Sequence, residues 1–246
     1  MKLRLDRWLA MLGLGSRSQV KEWIRAGQIA AEGRVIRDPS ACFESESCAL
    51  TAFGNPVDGR VVRHVMLYKP AGLLTAARDA KQPTVMDLLP AVYRGIGCMP
   101  VGRLDKDTTG LLLLTCDGEM NHRLLSPARH VEKRYRAETE GCLGPGDAER
   151  VAAGLDLGDF TARPARLEIL SASESGSAAE VTVTEGKFHQ VKRMFSAVGH
   201  EVITLHRCSF GPLELDPALT PGAWRELREE ELRLLRQAAG MNEEEA

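Results

Sequence analysis

The chain has 246 residues, 43% of them hydrophobic and 5% aromatic, with a formal net charge of −2. That composition supports a packed core built mainly from Leu, Val, Ile and Ala, and it excludes a low-complexity chain or a uniformly polycationic one. Charge is uneven, however: residues 1–40 hold eight Lys and Arg against four Asp and Glu, and residues 226–246 hold three against seven. A local basic face can bind phosphates under an acidic total, because exposed charges act over only about 10 Å. Cysteines stand at 42, 48, 98, 116, 142 and 208 with no CxxC pair, so neither a disulfide framework nor a metal site is expected. The start lacks an apolar signal core and no stretch is long enough to span a membrane, so a cytoplasmic protein with reduced thiols and no membrane partner is expected.

In chain order, Leu5, Leu9 and Leu12 share a helical face with Trp8 beside them, and Gly13 and Gly15 stop that helix. Ser16-Arg17-Ser18-Gln19 reads as a capping box for a second helix with Val20, Trp23 and Ile24 inward and Gly27 as its stop. Gln28–Ala31 and Arg34–Ile36 flank Glu32-Gly33, a hairpin signal. Turn formers cluster from Phe53 to Gly59, which predicts a domain over 1–55, a linker over 56–63, a larger domain over 64–240 and a frayed acidic tail over 241–246. Further strands are predicted at His64–Tyr68, Leu111–Leu114, Arg134–Thr139, Leu167–Leu170, Val181–Thr184 and Val202–Leu205. A short helix is predicted over Thr84–Leu89, one through Val191–Val198, and an amphipathic end helix over Glu226–Ala239. Asp117-Gly118 reads as a turn and Ser171–Ser177 as a Ser-rich loop. Strands and helices mix without a regular βαβ repeat, so the fold class is α+β.

Three stretches have chemical potential. Lys2, Arg4, Arg7, Arg17, Lys21, Arg25 and Arg34 crowd the first forty residues, either as a solvated face or as donors to RNA phosphates. Val101–Gly110 sets two acids and two threonines between glycines, just before a buried strand. Such a loop presents a carboxylate at a sheet rim, or simply makes an Asx-type turn. A calcium loop fails because Lys106 interrupts the acids, and a phosphate-binding loop fails because no Gly-Lys-Ser/Thr follows. In Glu185–Phe195, polar and basic groups open a helix with an apolar face. His189 and Gln190 there are either ordinary capping groups or part of a site that converges on the Asp105 loop.

Taken together the stretches are far more specific. Arg4-Leu5-Asp6, Ser16-Arg17 and Gly27-Gln28-Ile29 with Glu32-Gly33 resemble the S4 RNA-binding domain over about the first fifty residues, departing from it in the wording of the turn Ala30-Ala31-Glu32-Gly33. Gly102-Arg103-Leu104-Asp105 with Thr109–Thr115, then Glu132-Lys133-Arg134-Tyr135, then Gly186–Phe195, resemble the RsuA/RluB/E/F branch of the pseudouridine synthases across almost the whole chain. That resemblance implies a small S4 domain joined to a larger mixed-sheet catalytic domain that isomerises uridine to pseudouridine in ribosomal RNA, without cofactor or metal, as a monomer. The wording His189-Gln190-Val191-Lys192-Arg193-Met194-Phe195 is nearest to the small-subunit enzymes of the branch, which implies uridine 516 of 16S rRNA as target. By the same resemblance Asp105 is the catalytic carboxylate, Tyr135 stacks on the uracil and Lys192 is the cation paired with the aspartate. Arg103 fills the space of the flipped nucleotide or contacts that nucleotide, Leu205 is the apolar pocket wall, and Gln190 and Arg193 contact substrate. Two alternatives stand beside this reading: a 23S rRNA uridine as target, and a non-catalytic S4-type assembly factor.

Overall fold

The computed structural model describes residues 1–241; the rest of the predicted acidic tail, 242–246, lies outside the described residues. The fold is α+β, in two compact units. Met1–Arg63 and Leu89–Met99 form the first, and His64–Leu88 with the chain from Pro100 onward forms the second. The range 64–240 read from the sequence thus runs through a segment that packs with the first unit. Close approach explains why: a Cβ on Gly95 would sit 2.1 Å from the Met11 carbonyl oxygen, and the Arg63 guanidinium lies 5.5 Å from the centre of the Tyr93 ring. Turn formers mark Phe53–Gly59 as a boundary but carry no signal for a segment that returns to a distant core.

In the first unit the helix Leu5–Met11 buries Leu5, Trp8 and Leu9, and the Trp8 indole N–H donates to the Gly59 carbonyl at 2.8 Å. The helix Arg17–Arg25 starts at the capping box anticipated in the sequence, with Ser16 and Gln19 each satisfying the other's backbone N–H. A small antiparallel sheet follows in the order Arg34–Val35, Ile29–Ala31, Leu50–Ala52, Asn55–Val57.

The second unit is built on a mixed sheet. Its strand order is Arg166–Ser173, Gly176–Val183, Lys133–Thr139, Val202–Phe210, Thr109–Thr115, His64–Lys69, Trp224–Glu226. All of these neighbours are antiparallel except Val202–Phe210 beside Thr109–Thr115. Thr109–Thr115 reads as an unbroken apolar run because it is central and buried on both faces. Lys133–Thr139 alternates instead, with residues 133, 135, 137 and 139 buried. Helix Gly118–Leu125 inserts Met120 and Leu124 against one face of the sheet, and the end helix adds Leu235.

Three local readings change. Ser171–Ser177 is not a loop: paired strands run to Ser173 and restart at Gly176, since a surface-facing serine is compatible with a ladder. Asp117-Gly118 is a helix start, where the Asp117 carboxylate accepts from the Met120 N–H at 2.9 Å. The end helix begins at Glu229, because Trp224–Glu226 is spent pairing with Val65–Leu67.

Candidate active site

The loop carrying Asp105 enters the sheet where Thr109–Thr115 meets Val202–Phe210. Gly110 makes that entry possible: its φ is +105°, and a Cβ there would lie 2.3 Å from the Arg207 carbonyl oxygen. Lys69 closes the loop from beneath. Its ammonium, fully buried, donates to the carbonyls of Pro70 at 3.1 Å, Lys106 at 3.1 Å and Thr108 at 2.8 Å. Burial pulls its pKa down to about 8, against the opposing pull of Asp107 and Asp105. Thr75 adds a further tie, donating to the Leu104 carbonyl at 2.8 Å while accepting from the Leu104 N–H. The strand predicted at His64–Tyr68 stops just short of Lys69, and the sequence signal for a further role is a lysine placed just before a proline at the close of an apolar strand.

So held, Asp105 presents a carboxyl that is 28% exposed to a cavity also lined by Arg103, Tyr135, Leu205, His189 and Lys192. Tyr135 and Leu205 reach it from adjacent strands, since Tyr135 pairs with Arg207 and Ala137 with Leu205. The structure therefore brings Asp105, Tyr135, Leu205, Lys192 and Arg103 together from four separate stretches of chain.

The expected pairing of Lys192 with Asp105 does not occur. Lys192 instead donates to Asp107 at 2.5 Å, and His189 lies nearest Asp105, Nε2 to Oδ1 at 3.4 Å. Backbone geometry decides this. His189 sits in the left-handed region at φ 49°, just before the helix Gln190–Val198, with its ring stacked on Phe188. Its side chain points into the cavity while Lys192, one turn later, reaches the far acid of the loop. Asp107 is held below the usual carboxylate range chiefly by that lysine hydrogen bond. His189, by its sequence either a capping group or part of a site converging on the Asp105 loop, is thus the imidazole at the carboxylate.

The other two expected substrate contacts are committed elsewhere. Gln190 is 4% exposed; it borders the cavity, but its side chain accepts from the Lys187 N–H and donates to Glu185, each at 3.0 Å. Arg193 pairs with Asp159 and donates to the Leu157 carbonyl at 2.6 Å, outside the lining of the Asp105 cavity. Gln190 thereby satisfies an N–H just ahead of its own helix, while Arg193 satisfies groups of the Leu157–Asp159 turn, 34 to 36 residues away.

In the first unit, Lys2, Arg4, Arg7, Arg17, Arg25 and Arg34 are exposed and Lys21 half-buried. Arg4, Arg17 and Lys21 converge on Asp6, which is fully buried, at 3.1, 3.2 and 3.9 Å. Burial alone would raise the Asp6 pKa, but hydrogen bonds from Arg4 and Arg17 override it and hold the carboxyl below its usual range. One buried acid thereby fixes three cations side by side. Among the described residues no group of His, Cys, Asp and Glu could hold a metal ion, and no helix is long and apolar enough to cross a membrane.

A family model described as RNA pseudouridylate synthase matches residues 63–197, and an S4 domain model matches residues 3–41. An uncharacterized RNA pseudouridine synthase of Bacillus subtilis (strain 168) is 43% identical over 95% of this chain and 98% of its own. Ribosomal small subunit pseudouridine synthase A of Pseudomonas aeruginosa is 39% identical, covering 94% and 99%, and that of Escherichia coli (strain K12) 38%, covering 94% and 98%. A crystal structure of a pseudouridylate synthase superposes with a TM-score of 0.66 at 33% identity, over 95% of this chain and 99% of that one.

Proposed function

This chain belongs to the RNA pseudouridylate synthase family and carries an S4 domain, and from that premise we propose that it isomerises uridine 516 of 16S rRNA, with Asp105 as the essential carboxylate. What carries the reading is the meeting of Asp105, Tyr135 and Leu205 in one cavity, on a loop pinned from below by Lys69. Small-subunit relatives of nearly equal length support the 16S target.

The reaction breaks the N1–C1′ bond, turns the uracil and joins C5 to C1′; C5 gives up a proton and N1 gains one, so no atom is lost overall. A base inside a stack cannot turn, so the nucleotide is first flipped out. Arg103, exposed at the cavity rim, is placed to occupy the vacated space. Tyr135 offers a ring face to the uracil, and Leu205 closes the wall. The Asp105 carboxylate is placed to attack or shield the sugar carbon, or to take the proton from C5. His189 sets its imidazole beside the Asp105 carboxylate, and Lys192 pairs with Asp107 on the same loop. The exposed basic residues of the first unit hold the RNA backbone.

Pseudouridine mapping in rRNA from cells with and without this gene tests the proposal. Loss of one site, at uridine 516 of 16S rRNA, is expected. Loss at a 23S position instead would overturn the target and keep the chemistry. No loss anywhere, together with no product on a 16S fragment in vitro, would overturn the rRNA assignment.

A further inference from the structure

Tyr135 walls two cavities, not one. Beside the Asp105 cavity lies a second, of about 320 Å3, whose lining includes Arg103, Lys133, Tyr135, Glu185, Lys187 and Arg207. Four of those six are cations. Two of them are deep: Arg207 is 2% exposed and Lys133 7%. Neither has an ion-pair partner among the described residues. Lys133 donates to the Val131 carbonyl at 2.6 Å. Arg207 donates through Nε to the Leu111 carbonyl at 2.7 Å and through Nη1 to the Tyr135 hydroxyl at 3.5 Å, while its buried Nη2 has no hydrogen-bond partner among the described residues.

Buried charges are normally paired, because removing an ion from water costs more than aromatic faces return. The rings of Phe210 and Tyr135 lie 5.3 and 5.9 Å from the Arg207 guanidinium carbon, and they offset part of the charge without accepting the stranded N–H. Glu185, the acid of the wall, is already engaged by Gln190, the Arg163 backbone N–H, and the Arg163 and Lys187 side chains. The cavity thus holds four cations against one acid that is already engaged, and an open donor.

We propose that this second cavity is a phosphate subsite, which takes the backbone phosphate adjoining the flipped uridine on Arg207 Nη2 and Lys133, with Arg103 and Lys187 at its rim. The inference rests on the RNA substrate proposed above. A phosphodiester brings one negative charge and only acceptor oxygens, which matches both deficits. Because Tyr135, Arg103, Glu185 and Lys187 border both cavities, a nucleotide with its base against Tyr135 carries its own linkage to the neighbouring hollow.

The test uses a 16S fragment that the wild-type protein converts, made with a neutral methylphosphonate at the linkage 5′ or 3′ of the target uridine. Binding is measured with Asp105→Asn protein, alone and combined with Lys133→Met or Arg207→Gln. One of the two neutral linkages should weaken binding about tenfold in the Asp105→Asn protein and less than about twofold in the double variants. An equal penalty in all proteins, or none at either linkage, would overturn the subsite. So would a penalty that follows removal of a carbonyl from the adjoining base, since that would place a base in the cavity. If Arg207→Gln does not fold, Lys133→Met decides alone. A wild-type protein that converts no uridine in the fragment overturns the underlying reading, a result visible before any linkage is altered.

Discussion

Asp105 and Lys69 lie in one loop and at its base, yet they should fail differently when replaced. Asp105 is on the loop's outer side, and its amide is nearly isosteric, so Asp105→Asn should leave the melting temperature and RNA affinity nearly unchanged while product formation disappears. Single-turnover rates on a 16S fragment check this. A rate within about tenfold of wild type, or ~1.4 kcal/mol of barrier, would remove Asp105 from the chemistry. Lys69→Met deletes three hydrogen bonds to loop carbonyls and leaves those oxygens buried, so both melting temperature and rate should fall. His64 gives a pH signature at this scale. It is 7% exposed, its Nδ1 lies 2.8 Å from the Thr115 hydroxyl, and burial lowers its pKa to about 4 from an ordinary 6.5. The unfolded chain therefore binds the proton first as pH falls. Stability from this group is complete above about 6.5 and drains away as pH drops through 4, by up to about 3 kcal/mol. Denaturation of wild type and His64→Gln between pH 7 and 4 should show a shallower acid loss in the variant.

Among the elements, the parallel junction of Thr109–Thr115 with Val202–Phe210 governs the site, because it brings the Asp105 loop beside Leu205 and Arg207. Gly110 is its weak point. An alanine there would force a strained positive φ and drive its Cβ into the Arg207 carbonyl. Gly110→Ala should cost at least about 2 kcal/mol in chemical denaturation and lower the rate of the remaining folded protein. Near-normal stability together with normal turnover would mean the junction tolerates displacement. Helix starts show the same dependence on single groups. Ser16 with Gln19 is legible as a sequence pattern, whereas Asp117, which reads as a turn residue, is recognised as a cap only once Gly118–Leu125 is seen to bury Met120 and Leu124.

For the whole molecule, the proposed division into an RNA-holding and a reacting part is best probed by charge and not by deletion. Removing residues 1–63 would strip Leu89–Met99, including buried Tyr93 and Ile96, of the unit it packs with. Arg7, Arg25 and Arg34 are exposed and stand apart from the cluster on buried Asp6, so alanine at these three positions should leave folding intact. RNA affinity should weaken, and the slope of log K against log salt should fall by about 0.7–0.9 for every phosphate that is no longer neutralised. Turnover at saturating RNA should hold. An unchanged salt slope, or a diminished rate at saturation, would refute this assignment.

The covalent pattern alone was enough for the fold class, the capped second helix, the central apolar strand and the loop bearing Asp105, because each rests on local periodicity or on a short run of side chains. Partnership was another matter. Which side chain meets Asp105 depended on the left-handed backbone at His189, just ahead of the helix Gln190–Val198. Which lysine holds the loop depended on Lys69 being carried under it by a strand that ends 37 residues before Lys106. The engagement of Arg193 by Asp159 and the return of Leu89–Met99 to the first unit are likewise long-range events. Residue spacing encodes the elements, but charge pairing and burial are properties of surfaces that exist only after the chain has folded, and those decided how the candidate site is wired.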